Sequence, residues 1–323
     1  MKTTSRNAAT APKTNASKPS RRVPASTAVP MTAEGYIDAA RSAATKKAYA
    51  ADLAHFLANG GKLPATPQQL SAYLAKLAAT LAVATIERRL IGIHRAHQDR
   101  NLTSPAVHLS VRQTMQGIRR SLGTVQQRVR AIVKDDLLNL LVLVDQQKPM
   151  KAARDRALLL VGFAGAFRRS ELVAIRCEDI TVFHEGIEIF LQRSKTDQQG
   201  AGRTVFIPRS IGVRCPVTAL DHWKALAGIE SGYVFRRVTR HDTVGKTALT
   251  GQTVALVVKA AYRLAGCNDN LVAGHSLRAG YVTTAAMAGL QPFQIRQQTG
   301  HRSTAALERY IRPVERRKIP PLL

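Results

Sequence analysis

Between Ile180 and Ile207 the hydrophobic pattern of this chain changes period, and that change limits the folds open to it. Upstream, apolar residues recur at the spacing of a helix face. Tyr49, Leu53 and Phe56, then Ile86, Leu90 and Ile93, then Val111, Met115 and Ile118 each fall at i, i+4 and i+7. From Ile180 onward they give way to short β-branched and aromatic runs, Ile180–Phe183, Ile187–Leu191 and Thr204–Ile207, broken by Glu185-Gly186 and by TDQQGAG. Such runs between Gly-containing turns predict a three-stranded antiparallel sheet. Helical patterning fills the flanks, at Leu137–Val144, Asp155–Phe163, Pro216–Ala227 and Thr250–Leu264. The expected class is mainly α with a small antiparallel β-sheet in the second half.

At 323 residues the chain is long enough for two cores. Residues 31–123 are expected to form a helical domain, in which TPQQLSAYLAKL supplies a helix with Thr66 as N-cap and Pro67 at its first position. The segment GTVQQRVRA interrupts the pattern, so residues 124–131 are read as a linker and 132–323 as the second domain. Residues 1–30 contain Lys and Arg but no acid, much Ser, Thr and Pro, and no hydrophobic period, which predicts a disordered basic tail.

Charge narrows the partners. Lys plus Arg number 48 against 21 for Asp plus Glu, a formal net charge of +27. That excess implies a polyanion, and nucleic acid is the expected one. No apolar run reaches bilayer length and the N-terminus lacks the apolar core of a secretory signal, so a soluble, cytoplasmic protein is expected. The three cysteines show no C-x-x-C spacing; they are read as buried small hydrophobes rather than a zinc site or disulfide framework.

The chemistry concentrates in GHSLRAGYVTTAAMAGLQPFQIRQQTGHRSTAALERY, which sets His275, Arg278, His301 and Tyr310 in a background with Glu308 as the only acid. An anion suits that set better than a metal does. His275 and Arg278, three apart, share a helix face and can grip two phosphate oxygens. In AFRRSELVAI, Arg168 and Glu171 have the same spacing; Glu171 either pairs with Arg168 or orients an imidazole such as His275, and Arg169 leaves the register open by one position. Lys195, in the Gly-rich hairpin loop, is either a solvated turn residue or an ammonium held over a phosphodiester, able to protonate a leaving 5′ oxygen. Tyr310 is either an ordinary helix residue or a nucleophile, whose phenol, of unperturbed pKa ~10, needs cations and a base nearby. In the helical domain, Arg88, Arg89 and Arg95 decorate one helix and Arg112, Arg119 and Arg120 another. With so few acids present, these are expected to meet DNA phosphates.

R-x-S-E-L, a hairpin lysine, H-x-x-R, G-H and a tyrosine nine residues later, in that order, resemble the tyrosine recombinases, the phage integrase family of site-specific recombinases. The resemblance spans residues 31–315, since TKKAYAADLAHFL and ATIERRLIGIHRAH also look like that family's helical core-binding domain. It departs at Phe167 and Arg169, where aliphatic residues are more usual. What it implies is a two-domain DNA clamp and an enzyme that cuts and rejoins double-stranded DNA. Tyr310 would be joined to the DNA 3′ end, Arg168, Arg278 and His301 would bind the phosphate, and His275 would handle protons. Lys195 would be the general acid and Glu171 the supporting carboxylate. It further implies no metal or ATP, and a homotetramer on two sites, with the C-terminal segment docking on a neighbour through Ile319, Leu322 and Leu323. Two other readings are a type IB topoisomerase-like enzyme and a non-catalytic DNA-binding protein. Deleting residues 1–30 is expected to reduce nonspecific DNA affinity and flatten its salt dependence, because the segment adds cations and no core; binding isotherms across a salt series check this.

Overall fold

The computed structural model describes residues 32–124, 129–192 and 202–301, with Ser303, Ala305, Leu307, Glu308, Tyr310, Ile311 and Val314 beyond them. The basic tail, Lys195 with its loop, and Ile319, Leu322 and Leu323 lie outside the described residues. The chain divides into two compact units, residues 1–126 and 127–323.

The first unit is helical: α1 (Ala33–Ala39), α2 (Ala43–Ala58), α3 (Pro67–Ala78), α4 (Val83–Gln98) and α5 (Leu109–Leu122). Side-chain caps start four of these, α5 among them, where His108 Nδ1 accepts from Ser110 N–H. Thr32 accepts from Gly35 N–H, Ser42 from Thr45 N–H, and Thr66 with Gln69 closes a reciprocal capping box ahead of Pro67. Phe56, Ile86, Ile93, Val111, Met115 and Ile118 are buried in one core with Leu70, Tyr73 and Leu74, while Leu53 and Leu90 pack at its edge. The helical spacing therefore marked the inward faces, except at Tyr49, which is half-buried and lies outside this core. It did not mark Asp52, a buried acid on α2 whose carboxylate takes the Arg88 guanidinium at 2.5 Å.

The second unit holds α6 (Lys134–Val144), α7 (Pro149–Ala164), α8 (Arg169–Ala174), β1 (Ile180–Val182), β2 (Gly186–Leu191), β3 (Arg203–Pro208), α9 (Pro216–Leu226), β4 (Arg236–Val238), β5 (Val244–Ala248), α10 (Gly251–Leu264), α11 (Ser276–Met287) and α12 (Pro292–Thr299). The expected sheet forms in the order β1-β2-β3, antiparallel throughout, with Ile189 opposite both Ile180 and Val205. Ile187, Ile189, Leu191, Val205 and Ile207 face the core, as strand alternation requires. Trp223 of α9 is fully buried there, its indole N–H satisfied by the Val234 carbonyl at 2.9 Å.

A second sheet, the β4–β5 hairpin, was not expected, because its strands are short, largely polar and only partly buried. Its turn does structural work at a distance. Asp242 accepts the N–H groups of Met150 and Lys151, both at 2.9 Å, and so caps α7, whose own N-cap Lys148 makes no side-chain cap bond. The cysteines are also less uniform than expected. Cys215 is buried and caps α9 by accepting from Thr218 N–H, Cys177 is half-buried, and Cys267 is exposed.

The end of the stretch read as linker belongs to the second unit. Arg130 N–H donates to Leu271 O at 2.7 Å and Ile132 N–H to Ser276 O at 3.1 Å, so the chain runs along the start of α11. Gly280 permits that approach: a Cβ there would overlap the Ile132 carbonyl, which is backbone and cannot yield. Gly280→Ala is therefore expected to destabilise the protein by about 1–3 kcal/mol or more. Gly117→Ala, at an exposed position of α5 where a Cβ meets nothing within 4 Å, should instead stabilise by roughly 0.5–1 kcal/mol. Thermal and urea unfolding of the two variants check the pair.

Candidate active site

Arg168 ends the turn after α7 and is the N-cap of α8, with extended backbone angles. Glu171, one turn on, holds it twice: Oε2 accepts the Arg168 backbone N–H at 2.9 Å, and Oε1 accepts from Nη1 at 2.5 Å. Of the two readings left open for Glu171, the structure places it as the partner of Arg168. A second guanidinium also reaches it. Arg203, at the start of β3, donates from Nη2 to Glu171 Oε2 at 3.4 Å and from Nη1 to the Gln298 carbonyl at 2.9 Å. Glu171 is almost fully buried. Burial alone would raise its pKa, but the Arg168 N–H and guanidinium, with Arg203 beyond, outweigh that and hold the carboxyl below its ordinary range.

Arg278 lies on the first turn of α11 and is 1% exposed. Its Nη1 donates to the Ala166 carbonyl at 2.7 Å, and its Nη2 meets His301 Nε2 at 3.2 Å. Ala166 has φ +48, a left-handed conformation unusual for alanine, and it stands in the turn between α7 and Arg168. Burial and the nearby Arg168 bring Arg278 down to about 10. Burial, Arg278 and Arg168 likewise depress His301 to about 4, so its ring is neutral at pH 7.

His275 is the N-cap of α11, three residues before Arg278. Its Nε2 is 2.9 Å from Tyr310 Oη. Desolvation by the surrounding chain, then the charges of Arg278, Arg168 and Arg169, lower its pKa and favour the free base. Tyr310 and Ile311 pack against a small apolar cluster of Val282, Ala285, Ala286, Ile295, Leu307 and Val314. That cluster fixes the helical segment bearing Tyr310 against α11 and α12. Three guanidiniums and one carboxylate thus stand together, and the excess positive charge suits an anion.

Arg169, the alternative register, is exposed; its side chain runs over Gly274, where any Cβ would overlap it. In the first unit the six arginines expected to meet DNA separate into two groups. Arg88 is engaged by Asp52, Arg89 donates to Tyr73 Oη at 3.2 Å, Arg95 to Gln98 Oε1 at 2.9 Å, and Arg119 to Glu87 at 2.7 Å. Arg112 and Arg120 are simply exposed. Sequence reasoning missed Arg203 and Thr299, whose hydroxyl is 2.7 Å from His301 Nδ1. A signal for Arg203 was present: it is two and four residues from Val205 and Ile207, so it points to the same inner face.

The sequence model of the Phage integrase family matches residues 130–317. An integrase/recombinase xerD homolog of Selenomonas ruminantium is 39% identical over 276 residues, covering 83% of this chain and 81% of that protein. The chain therefore belongs to the phage integrase family, the tyrosine recombinases of site-specific DNA recombination. Among solved structures, a lambda integrase dimer bound to a COC′ core site aligns with TM-score 0.60 at 15% identity, covering 91% of this chain and 99% of that one. XerH recombinase in a post-cleavage complex with palindromic difH substrate aligns with TM-score 0.59 at 17% identity, covering 78% and 70%. Both establish the shared fold. No helix among the described residues is long and apolar enough to cross a membrane.

Because Glu171 stays ionised to lower pH in the fold than in the unfolded chain, its stabilisation is full above the ordinary value of 4.5 and is lost as pH falls through the lowered folded value. Glu171→Gln is expected to cost on the order of 3 kcal/mol at pH 7, as removal of one partner from a buried ion pair does. The gap from wild type should narrow below pH 4.5; urea unfolding from pH 7 to pH 3 checks it.

Proposed function

We propose that this protein is a site-specific recombinase that cleaves and rejoins double-stranded DNA through a 3′-phosphotyrosine intermediate. Tyr310 Oη attacks the scissile phosphorus, the P–O5′ bond breaks, and the DNA 3′ phosphate is left on the tyrosine. The phenolic proton passes to His275 Nε2, and the leaving 5′ oxygen takes a proton from Lys195. The observation that carries this reading is the 2.9 Å approach of Tyr310 Oη to a His275 kept as free base, one turn from the buried Arg278. Arg168, Arg278 and His301 meet the non-bridging oxygens, where charge builds as phosphorus becomes five-coordinate. Glu171 orients Arg168 without touching the phosphate. The ester energy is kept in the phosphotyrosine, so a 5′ hydroxyl from a partner strand reverses the step, and neither ATP nor a metal is needed.

Four protomers on two sites perform the exchange, whether integration, excision, inversion or resolution, and the segment after Tyr310 docks on a neighbour through Ile319, Leu322 and Leu323. Of the basic residues in the first unit, Arg112 and Arg120 are exposed and take phosphates directly. Arg88, Arg89, Arg95 and Arg119 do so while also bracing their own unit through the partners described above.

Tyr310→Phe is expected to bind DNA as wild type does and to form no covalent adduct with a nicked suicide site on denaturing gels; an adduct from that variant would refute the assignment. Arg168→Ala should slow adduct formation by on the order of 10²-fold or more, like loss of other donors to a developing oxyanion. Arg169→Ala should leave the rate near wild type, and the reverse result would move the first arginine by one position.

A further inference from the structure

His301 is held from both sides by partners whose roles are unambiguous. On one side, Thr299, the last residue of α12 and fully buried, has a hydroxyl with a single proton. That proton goes to the Ile295 carbonyl, one turn back, at 2.7 Å. The same oxygen is 2.7 Å from His301 Nδ1, so it accepts there and Nδ1 carries the ring proton. On the other side, Arg278 Nη2 stands 3.2 Å from Nε2 and has only protons to offer, so Nε2 presents its lone pair. Two independent contacts thus require the same tautomer.

We infer that Thr299 is a positioning residue for the reaction, holding His301 as the Nδ1–H tautomer with Nε2 turned toward Arg278 and the anion site. The inference rests on the proposed function for the identity of that anion, a DNA phosphate. When the phosphate enters, Arg278 Nη2 turns from the ring to a phosphate oxygen. Nε2 then takes a proton from solvent and donates it in a second hydrogen bond, while Nδ1–H stays on Thr299. An acceptor at Nδ1–H keeps the ring oriented and makes Nε2 more basic, as it does for other functional imidazoles. The charged or titratable groups around the ring are Arg278, Arg168, His275 and Arg203, with Arg296 donating to the His301 carbonyl at 3.3 Å. These neighbours resist a second proton, so a neutral hydroxyl that favours the imidazolium matters here. Gly300, left-handed at φ +66, makes the turn that folds His301 back onto Thr299.

The test pairs a spectroscopic readout with a kinetic one on the full chain. Thr299→Val keeps the side-chain volume and removes the acceptor; Thr299→Ser restores it. Long-range proton–nitrogen correlation spectra, with His301 assigned by its loss in His301→Gln, are expected to show Nδ1–H in wild type and Thr299→Ser. In Thr299→Val they should show the Nε2–H form or a mixture. Adduct formation on a suicide site should fall roughly 10- to 100-fold in Thr299→Val with half-site affinity unchanged, and recover in Thr299→Ser. An Nε2–H ring in wild type, an unaltered ring in Thr299→Val, or an altered ring with undiminished cleavage would each overturn the inference. If wild-type protein forms no adduct on any site, it is the recombinase reading that fails, and the ring spectra then decide the Thr299 contact by themselves.

Discussion

A single carboxylate, buried away from water, holds the two guanidiniums nearest it. Glu171 takes the backbone N–H and side chain of Arg168 and a second guanidinium from Arg203, which itself ties to the end of α12 through Gln298 O. Three stretches far apart in sequence, the start of α8, the start of β3 and the turn before His301, are joined through that one group. An ionised carboxylate out of water is costly unless it is paired and hydrogen-bonded, and here the Arg168 backbone N–H and the two guanidiniums supply that pairing. The compensation is incomplete by design of charge: Arg278 adds a third guanidinium with no further acid bonded to it, only the Ala166 carbonyl and a neutral imidazole. Three guanidiniums against one carboxylate leave two positive charges in excess, so a dianionic group entering the site would balance them and a monoanion would leave one uncompensated.

The rest of the second unit serves to hold that arrangement still. Residues 130–132 lie against α11 because Gly280 has no side chain, and α11 in turn carries His275 at its first cap and Arg278 on its first turn. The apolar cluster of Val282, Ala285, Ala286, Ile295 and Leu307 sets the Tyr310 segment against the same helix, which brings the phenol to His275. The β4–β5 hairpin contributes indirectly, capping α7 through Asp242, and α7 ends in the turn that aims the Ala166 carbonyl at Arg278. Packing and backbone geometry thus reach the site through named contacts.

Much of this was readable in the residues, and the exceptions share a cause. Periodicity located the inward faces of α4 and α5 and the three strands of the larger sheet, since both depend on neighbours a few positions apart. The order of Arg168, Glu171, His275, Arg278, His301 and Tyr310 pointed to an anion site because those side chains are unusual together. Arg203 went unnoticed although its strand phase aims it inward, because its partner Glu171 is 32 positions away. Asp52 was hidden for the same reason. It sits between apolar positions on α2, and only the fold brings it to Arg88, 36 residues on, changing a surface cation into half of an ion pair. Thr299 carried no signal in the sequence, because the contact that distinguishes it, its hydroxyl against His301 Nδ1, exists only after Gly300 reverses the chain.

The central claim is that the phenol of Tyr310 is the atom that becomes bonded to DNA. The direct measurement is to trap wild-type protein on a suicide DNA site, digest the complex, and locate the nucleotide-bearing peptide by fragmentation mass spectrometry. The account predicts a single modified residue, Tyr310, joined through phosphate to a DNA 3′ end. A nucleotide found on any other residue, or attached through a 5′ end, would contradict it.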